Sequence, residues 1–315
     1  RSATVTPAPP IRFILSAPDS ARPMDNFPWP AAISPDGRTI VYAVGQVSIA
    51  SSFYSQRTDQ LEARPIPGTQ GAYQPYFSPD GEWLAFQMNG KERKVRLDAS
   101  TPFAIADGGS ANGTDWTIND EIISGATLNF SGLARVSAAG GVMKALTHVD
   151  SAKHERQHVW PIGVPDGKHV VFTIWYGNLD ASQLAVASLS DGRVRELGVK
   201  GIRPLRVLDG RVVYLQSDGT IMAVRLDAAG GRVIGNPVPV HDPVPVVAGN
   251  NGNSGAFVSQ GGALVTSRGN LKTQLTWLAQ DGTSRRPILP DARAFLKPLL
   301  SPDEKRLIVL VVENQ

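Results

Sequence analysis

The residues whose types and spacing could perform chemistry begin with His154, Glu155 and His158, which spell H-E-x-x-H in the sequence. On an amphipathic helix, two histidines four residues apart share one face and bind zinc, while the glutamate acts as general base on zinc-bound water. Here Pro161 follows closely, and a strand pattern ends a few residues before the motif, which favours a loop between strands. A metal ion held by His154 and His158, serving a hydrolase or lyase, is the alternative interpretation.

Other catalytic signatures are absent from the sequence. It contains no G-x-G-x-x-G-x-V, H-R-D or D-F-G motif of protein kinases and no G-x-S-x-G elbow of the α/β-hydrolases. Because the chain has no cysteine, thiol catalysis, iron–sulfur clusters, zinc ribbons and disulfides are excluded. The sequence therefore predicts a chain that is not an enzyme and needs no cofactor, with a metal ion in a central channel left as a possibility.

The composition indicates a globular chain of strands and turns. Of 315 residues, 42% are apolar and 19% charged, while 31 glycines and 24 prolines favour many short strands. The net charge of +3 is too small to indicate nucleic-acid binding. No apolar run is long enough to span a membrane.

A repeated turn motif organises the chain around these residues. An apolar residue, a Pro-Asp turn and an alternating apolar run recur at Ile33 to Ala43, Phe77 to Gln87, Val164 to Ile174 and Leu300 to Leu310. Proline presets the turn, aspartate bonds the backbone ahead of it, and the glycine that follows in three copies accepts a positive φ. Because the flanking residues alternate with period two, each copy predicts a β-hairpin.

The spacing of the repeats predicts the architecture. The turn prolines are 44, 86 and 137 residues apart, close to one, two and three times 44. Degenerate hairpins fill the gaps at Trp116 to Ala126, Arg206 to Gln216 and Phe257 to Ser267, and further strand-like segments follow most hairpins. Four strands per repeat of this length are typical of a β-propeller blade.

The prediction is thus an all-β fold, a β-propeller of four-stranded blades with about seven repeats. Six blades would be full, and a partial one could be closed by an N-terminal strand at Ile11 to Ser16. The predicted boundaries are a linker at residues 1–10, a propeller domain at residues 11–315, and blades near residues 29–69, 73–107, 113–150, 158–201, 202–248, 255–292 and 296–315.

These hairpins resemble the WD40-like PD40 repeats of the TolB-type propellers. Longer stretches, at Asp59 to Val95, Arg135 to Thr147, His158 to Phe172 and Gln274 to Gly282, resemble the C-terminal propeller regions of bacterial serine/threonine protein kinases. The resemblance implies an extracytoplasmic sensor or scaffold domain, periplasmic or at the cell surface. It also implies a membrane tether upstream of Arg1, for which the proline-rich start of the chain is suited.

In a propeller, the residues just before each first strand converge around one end of the central channel. We call the candidates at this end the rim residues. They combine aromatic bodies with polar tips, which suit contacts with a small ligand or a protein. The rim residues are Trp29, Tyr73, Gln74, Asp115, Trp116, His158, Trp160, Arg203, Asn253, Ser254 and Lys297.

The leading functional hypothesis is a non-enzymatic binding or sensor propeller, which receives a ligand or protein partner at the rim and channel as part of a bacterial signalling protein. Rigid blades with variable loops are suited to that role. The alternatives are a metal-dependent propeller enzyme near His154 and His158, and a TolB-like scaffold of an envelope complex with an exposed apolar patch.

Overall fold

The structure, a computed structural model, describes residues 31–45, 51–98, 101–246, 252–266, 275–278, 285–289, 294–303 and 305–312. These residues form antiparallel strands, with a short 3-10 helix at Ser151–Lys153. Among the same residues, no helix has the length and hydropathy of a membrane span.

Five sheets have four strands each, and in every one the strands pair in the order in which the chain supplies them. The first is β1 (Ala31–Ile33), β2 (Thr39–Val44), β3 (Ser52–Arg57) and β4 (Arg64–Pro65). The second is β5 (Tyr73–Phe77), β6 (Trp83–Met88), β7 (Lys91–Arg96) and β8 (Phe103–Asp107). The third is β9 (Thr114–Trp116), β10 (Glu121–Ser124), β11 (Ala134–Ser137) and β12 (Lys144–Ala145).

The remaining strands continue the same meander. The fourth sheet is β13 (Gln157–Gly163), β14 (His169–Trp175), β15 (Gln183–Ser188) and β16 (Val194–Lys200). The fifth is β17 (Arg203–Leu208), β18 (Arg211–Leu215), β19 (Ile221–Asp227) and β20 (Arg232–His241). Three two-stranded sheets follow: β21 (Ala256–Val258) with β22 (Leu264–Thr266), β23 (Thr276–Leu278) with β24 (Arg285–Pro287), and β25 (Ala294–Leu300) with β26 (Leu307–Val312).

The hairpin turns form as the Pro-Asp motif predicts. In the first turn, Ser34 Oγ donates to Asp36 Oδ1, which also accepts from the backbone N–H of Arg38. Gly37 supplies the positive φ of 73° that closes the turn, a conformation in which a side chain would be strained. The three degenerate repeats also form hairpins, namely β9–β10, β17–β18 and β21–β22.

The first strands of successive sheets form a closed cycle. β1 contacts β5, β5 contacts β9, β9 contacts β13, β13 contacts β17, β17 contacts β21, and β21 contacts β1. Apolar side chains fill the spaces between neighbouring sheets, as where Phe53 of β3 meets Phe86 of β6 edge-on at 5.6 Å between ring centroids. A cycle of meandering four-stranded sheets with cores between them is a β-propeller.

The prediction of four-stranded blades is confirmed, whereas the number of blades was wrong. The described residues form five four-stranded blades rather than about seven, and the two-stranded sheet β21–β22 completes the cycle. The repeat determines how many residues form one blade. The number of blades depends instead on the angle between neighbouring blades, which is determined by the packing between them. The predicted linker at residues 1–10 and closing strand at Ile11 to Ser16 lie outside the described residues.

Several first strands carry a one-residue bulge next to a proline. The pairing register shifts between Tyr73 and Tyr76 in β5, and between Val159 and Ile162 in β13. It shifts again between Pro204 and Arg206 in β17. Because an extra residue reverses the alternation of side chains, each bulge changes which residues of its strand face the centre of the propeller.

Candidate functional site

A cavity of about 710 Å³ lies where the first strands converge, and we call it the channel. Residues of β1, β5, β9, β13, β17 and β21 line it, so all six units of the cycle contribute. Six of the eleven rim residues line this cavity: Tyr73, Gln74, Asp115, Trp160, Arg203 and Asn253.

The other rim residues lie elsewhere. Trp116 is buried and donates from Nε1 to Asp120 Oδ1 at 3.1 Å, and His158 and Ser254 are fully buried. These three do not belong to the channel lining. Trp29 lies outside the described residues, and Lys297 lies in β25.

The two histidines of the H-E-x-x-H motif lie on different elements. His154 is exposed with a φ of 62° at the end of the short 3-10 helix, whereas His158 lies in β13. The two ring nitrogens of His158 contact Thr147 Oγ1 at 2.7 Å and Glu155 Oε2 at 3.1 Å, so neither is left to bind a metal. The two histidines do not share one helix face, because the motif crosses from a turn into a strand, where the helical spacing of the histidines is lost.

His158 and Glu155 instead fasten the loop that enters the fourth blade. Glu155 Oε2 also accepts from the backbone N–H of Asp150 at 2.7 Å, which ties both ends of the loop together. Burial lowers the pKa of His158, and the nearby Glu155 opposes that shift. No group of three His, Asp or Glu side chains within the described ranges is arranged to hold a metal ion.

An ion pair crosses one part of the channel. Asp115 Oδ1 of β9 lies 3.2 Å from Arg206 Nη1 of β17, and Asp115 Oδ2 accepts from the backbone N–H of Gly163 at 2.8 Å. Arg206 also donates from Nε to the carbonyl of Val258 at 3.4 Å. Burial raises the pKa of Asp115, although the charge of Arg206 opposes the rise.

Arg203 is the second arginine of the channel, and its surroundings differ from those of Arg206. Its Cζ lies 4.3 Å from the ring centroid of Trp160 and 5.4 Å from that of Phe257. Its Nη1 donates to the carbonyl oxygen of Ser254 at 3.3 Å. Burial lowers the pKa of Arg203 to about 10, so the guanidinium stays charged at neutral pH.

The backbone is strained where two rim residues enter the channel. Gln74 has a φ of 52° and Trp160 a φ of 56°, values that residues with side chains rarely adopt, and a proline follows each. Gln74 Nε2 donates to the carbonyl of Ala111 at 2.6 Å, whereas its buried Oε1 has no hydrogen-bond partner among the described residues. Strain of this kind commonly marks binding sites, because the fold must hold such residues in place.

Gly113 makes room for Trp160. A Cβ built on Gly113 would lie 2.5 Å from Trp160 Cε3 and 2.8 Å from Trp160 Cα. Gly113 also has a φ of 87°, which disfavours any side chain. The backbone N–H of Trp160 donates to the carbonyl of Asn112 at 2.7 Å, which holds the strained residue against the third blade.

A buried carboxyl group lies behind the channel wall. Tyr76 lines the channel and donates from its hydroxyl to Glu92 Oε1 at 2.5 Å, and Gln87 Nε2 donates to Glu92 Oε2. Glu92 is fully buried, and burial raises its pKa to about 8. Glu92 is therefore largely protonated at neutral pH, and the channel wall carries little negative charge there.

Sequence reasoning missed Arg206 and Phe257 in the channel. Both follow the start of a first strand, whereas the rim residues were chosen from the segments expected just before each first strand. The bulge in β17 between Pro204 and Arg206 places both Arg203 and Arg206 in the channel lining. The available signal was an arginine inside a first strand, two residues after a proline.

The sequence has limited similarity to the sequences of known proteins. No family model matches it. The chain is 28% identical over 148 residues to the uncharacterized peptidase YuxL of Bacillus subtilis (strain 168), a match that covers 44% of this chain. The chain spans 20% of the length of that protein.

Solved structures are similar in fold. A chain of the nidogen/laminin complex is 11% identical with a TM-score of 0.50, over 67% of this chain and 79% of that one. TolB from Acinetobacter baumannii is 18% identical with a TM-score of 0.48, over 68% of this chain and 54% of that one. An oligogalacturonate lyase in complex with manganese is 13% identical with a TM-score of 0.49, over 92% of this chain and 86% of that one. At such identities the likeness extends to the fold alone, and the chain is an all-β propeller of four-stranded blades.

Proposed function

We propose that this chain is a non-enzymatic binding propeller, which receives a ligand or a segment of a protein partner in its channel. The observation that carries the proposal is the channel itself, a cavity of about 710 Å³ at the centre of the cycle of first strands. Cavities of this size, lined by apolar side chains and a few convergent polar groups, are typical ligand-binding sites.

The chemistry of the lining supports binding rather than catalysis. Tyr73 is 40% exposed, and Trp160 and Phe257 supply aromatic surface beside the charged Arg203. Asp115, the carboxylate of the channel lining, is engaged by Arg206 and by Gly163. An acid or base must be able to reach a substrate proton, and Asp115 is held away from that role by these two bonds.

A blocked channel tests the proposal. Ala111 is exposed and lines the channel, so Ala111→Trp would fill part of the cavity while leaving intact the backbone carbonyl that Gln74 contacts. A library of small organic fragments and short peptides is screened by ligand-observed NMR against the protein and this variant. We expect most hits on the unaltered protein to lose binding to Ala111→Trp by at least tenfold.

Ala139→Trp is the matched control, because Ala139 is exposed and does not belong to the channel lining. Hits should bind this variant as they bind the unaltered protein. Hits that bind Ala111→Trp and Ala139→Trp equally well would place the binding surface outside the channel and overturn the proposal.

We further propose that the propeller lies outside the cytoplasm as the sensor part of a bacterial signalling protein. The repeats that resemble kinase-associated propellers support this proposal. Alkaline phosphatase, fused to the natural full-length protein at the propeller, tests it, because its disulfides form in an oxidising compartment. Phosphatase activity is expected, whereas an inactive fusion beside an active β-galactosidase fusion would place the propeller in the cytoplasm.

A further inference from the structure

The charges inside the channel do not balance. Among the described residues, three charged ones line it, namely Asp115, Arg203 and Arg206, and Asp115 forms its ion pair with Arg206. Within the described part of the chain, Arg203 has no carboxylate partner. The lining therefore carries one positive charge that no described carboxylate neutralises.

Burial of this charge has a cost that a ligand could offset. The lowered pKa of Arg203 has a single cause, the loss of water around the guanidinium. Arg203 is partly buried. A cation withdrawn from water without a counter-ion is unfavourable, and proteins commonly pair such groups or use them to bind an anion. Arg206, in the same strand, has its counter-ion in Asp115, so the two arginines differ in what remains to be bound.

The geometry leaves donors of Arg203 available. An arginine has five N–H donors, and the bonds formed here run from Nη1 to the carbonyl oxygen and hydroxyl of Ser254, at 3.3 and 3.5 Å. Both contacts are long, and both acceptors are neutral. No partner for Nε or Nη2 occurs among the residues that the structure describes. A carboxylate is the acceptor that fits two neighbouring donors of a guanidinium.

The rings around Arg203 define what should accompany the carboxylate. Trp160 and Phe257 contact the guanidinium through its central carbon and hold it by cation–π attraction. Tyr73 and Phe257 also line the channel, so the ligand body meets aromatic surface. Gln74 adds a buried Oε1 that lacks a hydrogen-bond partner among the described residues and could accept from a ligand N–H.

We propose that the channel binds an organic carboxylate, whose charged group pairs with Arg203 and whose apolar body contacts Trp160, Phe257 and Tyr73. The carboxylate could belong to a free small acid or to the C-terminus of a peptide, since both present the same group. This inference rests on the proposed function of the channel as a binding site.

Two pairs of probes test the inference by isothermal titration calorimetry. The first pair is 3-phenylpropanoate and its neutral amide, and the second is acetyl-Ala-Ala-Phe with a free C-terminus and the same peptide as its C-terminal amide. In at least one pair, we expect the acid to bind at least tenfold more tightly than the amide. Preference within the first pair alone indicates a small acid, and stronger preference within the second indicates a peptide end.

Two variants test whether Arg203 is responsible for the preference for the acid over the amide. Arg203→Gln should weaken binding of the acid at least tenfold and bring it level with the amide. Arg64→Gln is the matched control, since Arg64 is exposed in β4 and the charge change is the same. It should leave the preference intact.

Each contrary outcome has a definite meaning. Equal binding of acid and amide to the unaltered protein, lost in Ala111→Trp, would overturn the carboxylate inference while the channel remains a binding site. Unchanged discrimination in Arg203→Gln would overturn the role of Arg203. Failure of both acids to bind at 10 mM would also overturn the inference, and the fragment screen would then decide the proposed function separately.

Discussion

Asp115 and Arg206 meet inside the channel, with 3.2 Å between Oδ1 and Nη1, although they belong to the third and fifth blades. The side chain of Asp115 is 9% exposed and that of Arg206 20% exposed, so the pair is largely withdrawn from water. The pair connects β9 to β17, while the bond from Gly163 to Asp115 joins the fourth blade between them. This relationship indicates that the channel wall is held together by polar contacts as well as by the apolar cores between blades.

Removal of one partner of this pair should destabilise the protein. Asp115→Ala leaves Arg206 buried without a counter-ion, and the expected loss in the free energy of unfolding is about 3 kcal/mol. Urea denaturation measures the change. Asp98→Ala removes the exposed partner of Arg96 and should cost less than about 1 kcal/mol. Equal losses in the two variants would contradict a structural role for the buried pair.

Glu92 should make stability depend on pH. Its pKa is raised from 4.5 to about 8 by burial, so the folded state keeps a proton that the unfolded state has lost between these values. The contribution of Glu92 to the free energy of unfolding therefore decreases as the pH rises from 4.5 to 8, and at pH 8 the decrease is about 4 kcal/mol. Glu92→Gln removes the titration while keeping a hydrogen-bonding side chain.

The measurement for Glu92 is the difference in unfolding free energy between Glu92→Gln and the unaltered protein across pH 4 to 9. The difference should grow in favour of the variant as pH rises, since His158 and the surface carboxylates titrate in both proteins. A difference that is flat over this range would show that Glu92 ionises normally in the folded state.

The two histidines of the H-E-x-x-H motif should behave differently when replaced. His158→Ala removes a buried ring bonded to Thr147 and Glu155 and should lower the free energy of unfolding by about 3 kcal/mol. His154→Ala alters an exposed residue and should change it by less than about 1 kcal/mol. Elemental analysis should find no stoichiometric zinc in the purified protein, and zinc lost in both variants would restore the metal interpretation.

Replacement of Gly113 by a larger residue should push against Trp160 and destabilise the protein. Gly113→Ala introduces a Cβ against the Trp160 ring and also strains a positive φ, for a combined loss of about 3 kcal/mol. Gly210 has a φ of 70°, and no atom lies within 4 Å of a Cβ added there. Gly210→Ala should therefore lower the free energy of unfolding through backbone strain alone, by about 1 to 2 kcal/mol. Similar losses in both variants would mean that Trp160 moves freely away from Gly113.

Local chemistry explains which parts of the fold were predictable. The turn at Pro35, Asp36 and Gly37 depends on neighbours in sequence, so the hairpins and the four-stranded blades followed from the repeat. The number of blades depends on how β21 meets β1 and β17, which is a contact between distant parts of the chain. No turn residue encodes that angle.

The candidate site was predictable in part for a similar reason. Tyr73 and Arg203 start first strands and Trp160 lies in the middle of one, and the repeat places these strands around the channel. Arg206 escaped prediction because the bulge in β17 reverses the side-chain alternation after Pro204. Its partner Asp115 lies 91 residues away, and no local pattern connects the two.

The most direct test of the central claim is crystallographic soaking of the protein with a diverse set of small organic fragments. The claim is that the channel is the binding surface of the propeller. The account predicts that bound fragments concentrate in the channel, within contact of Tyr73, Trp160 and Arg203. Fragments that collect on outer strands or blade loops, while the channel holds water alone, would contradict it.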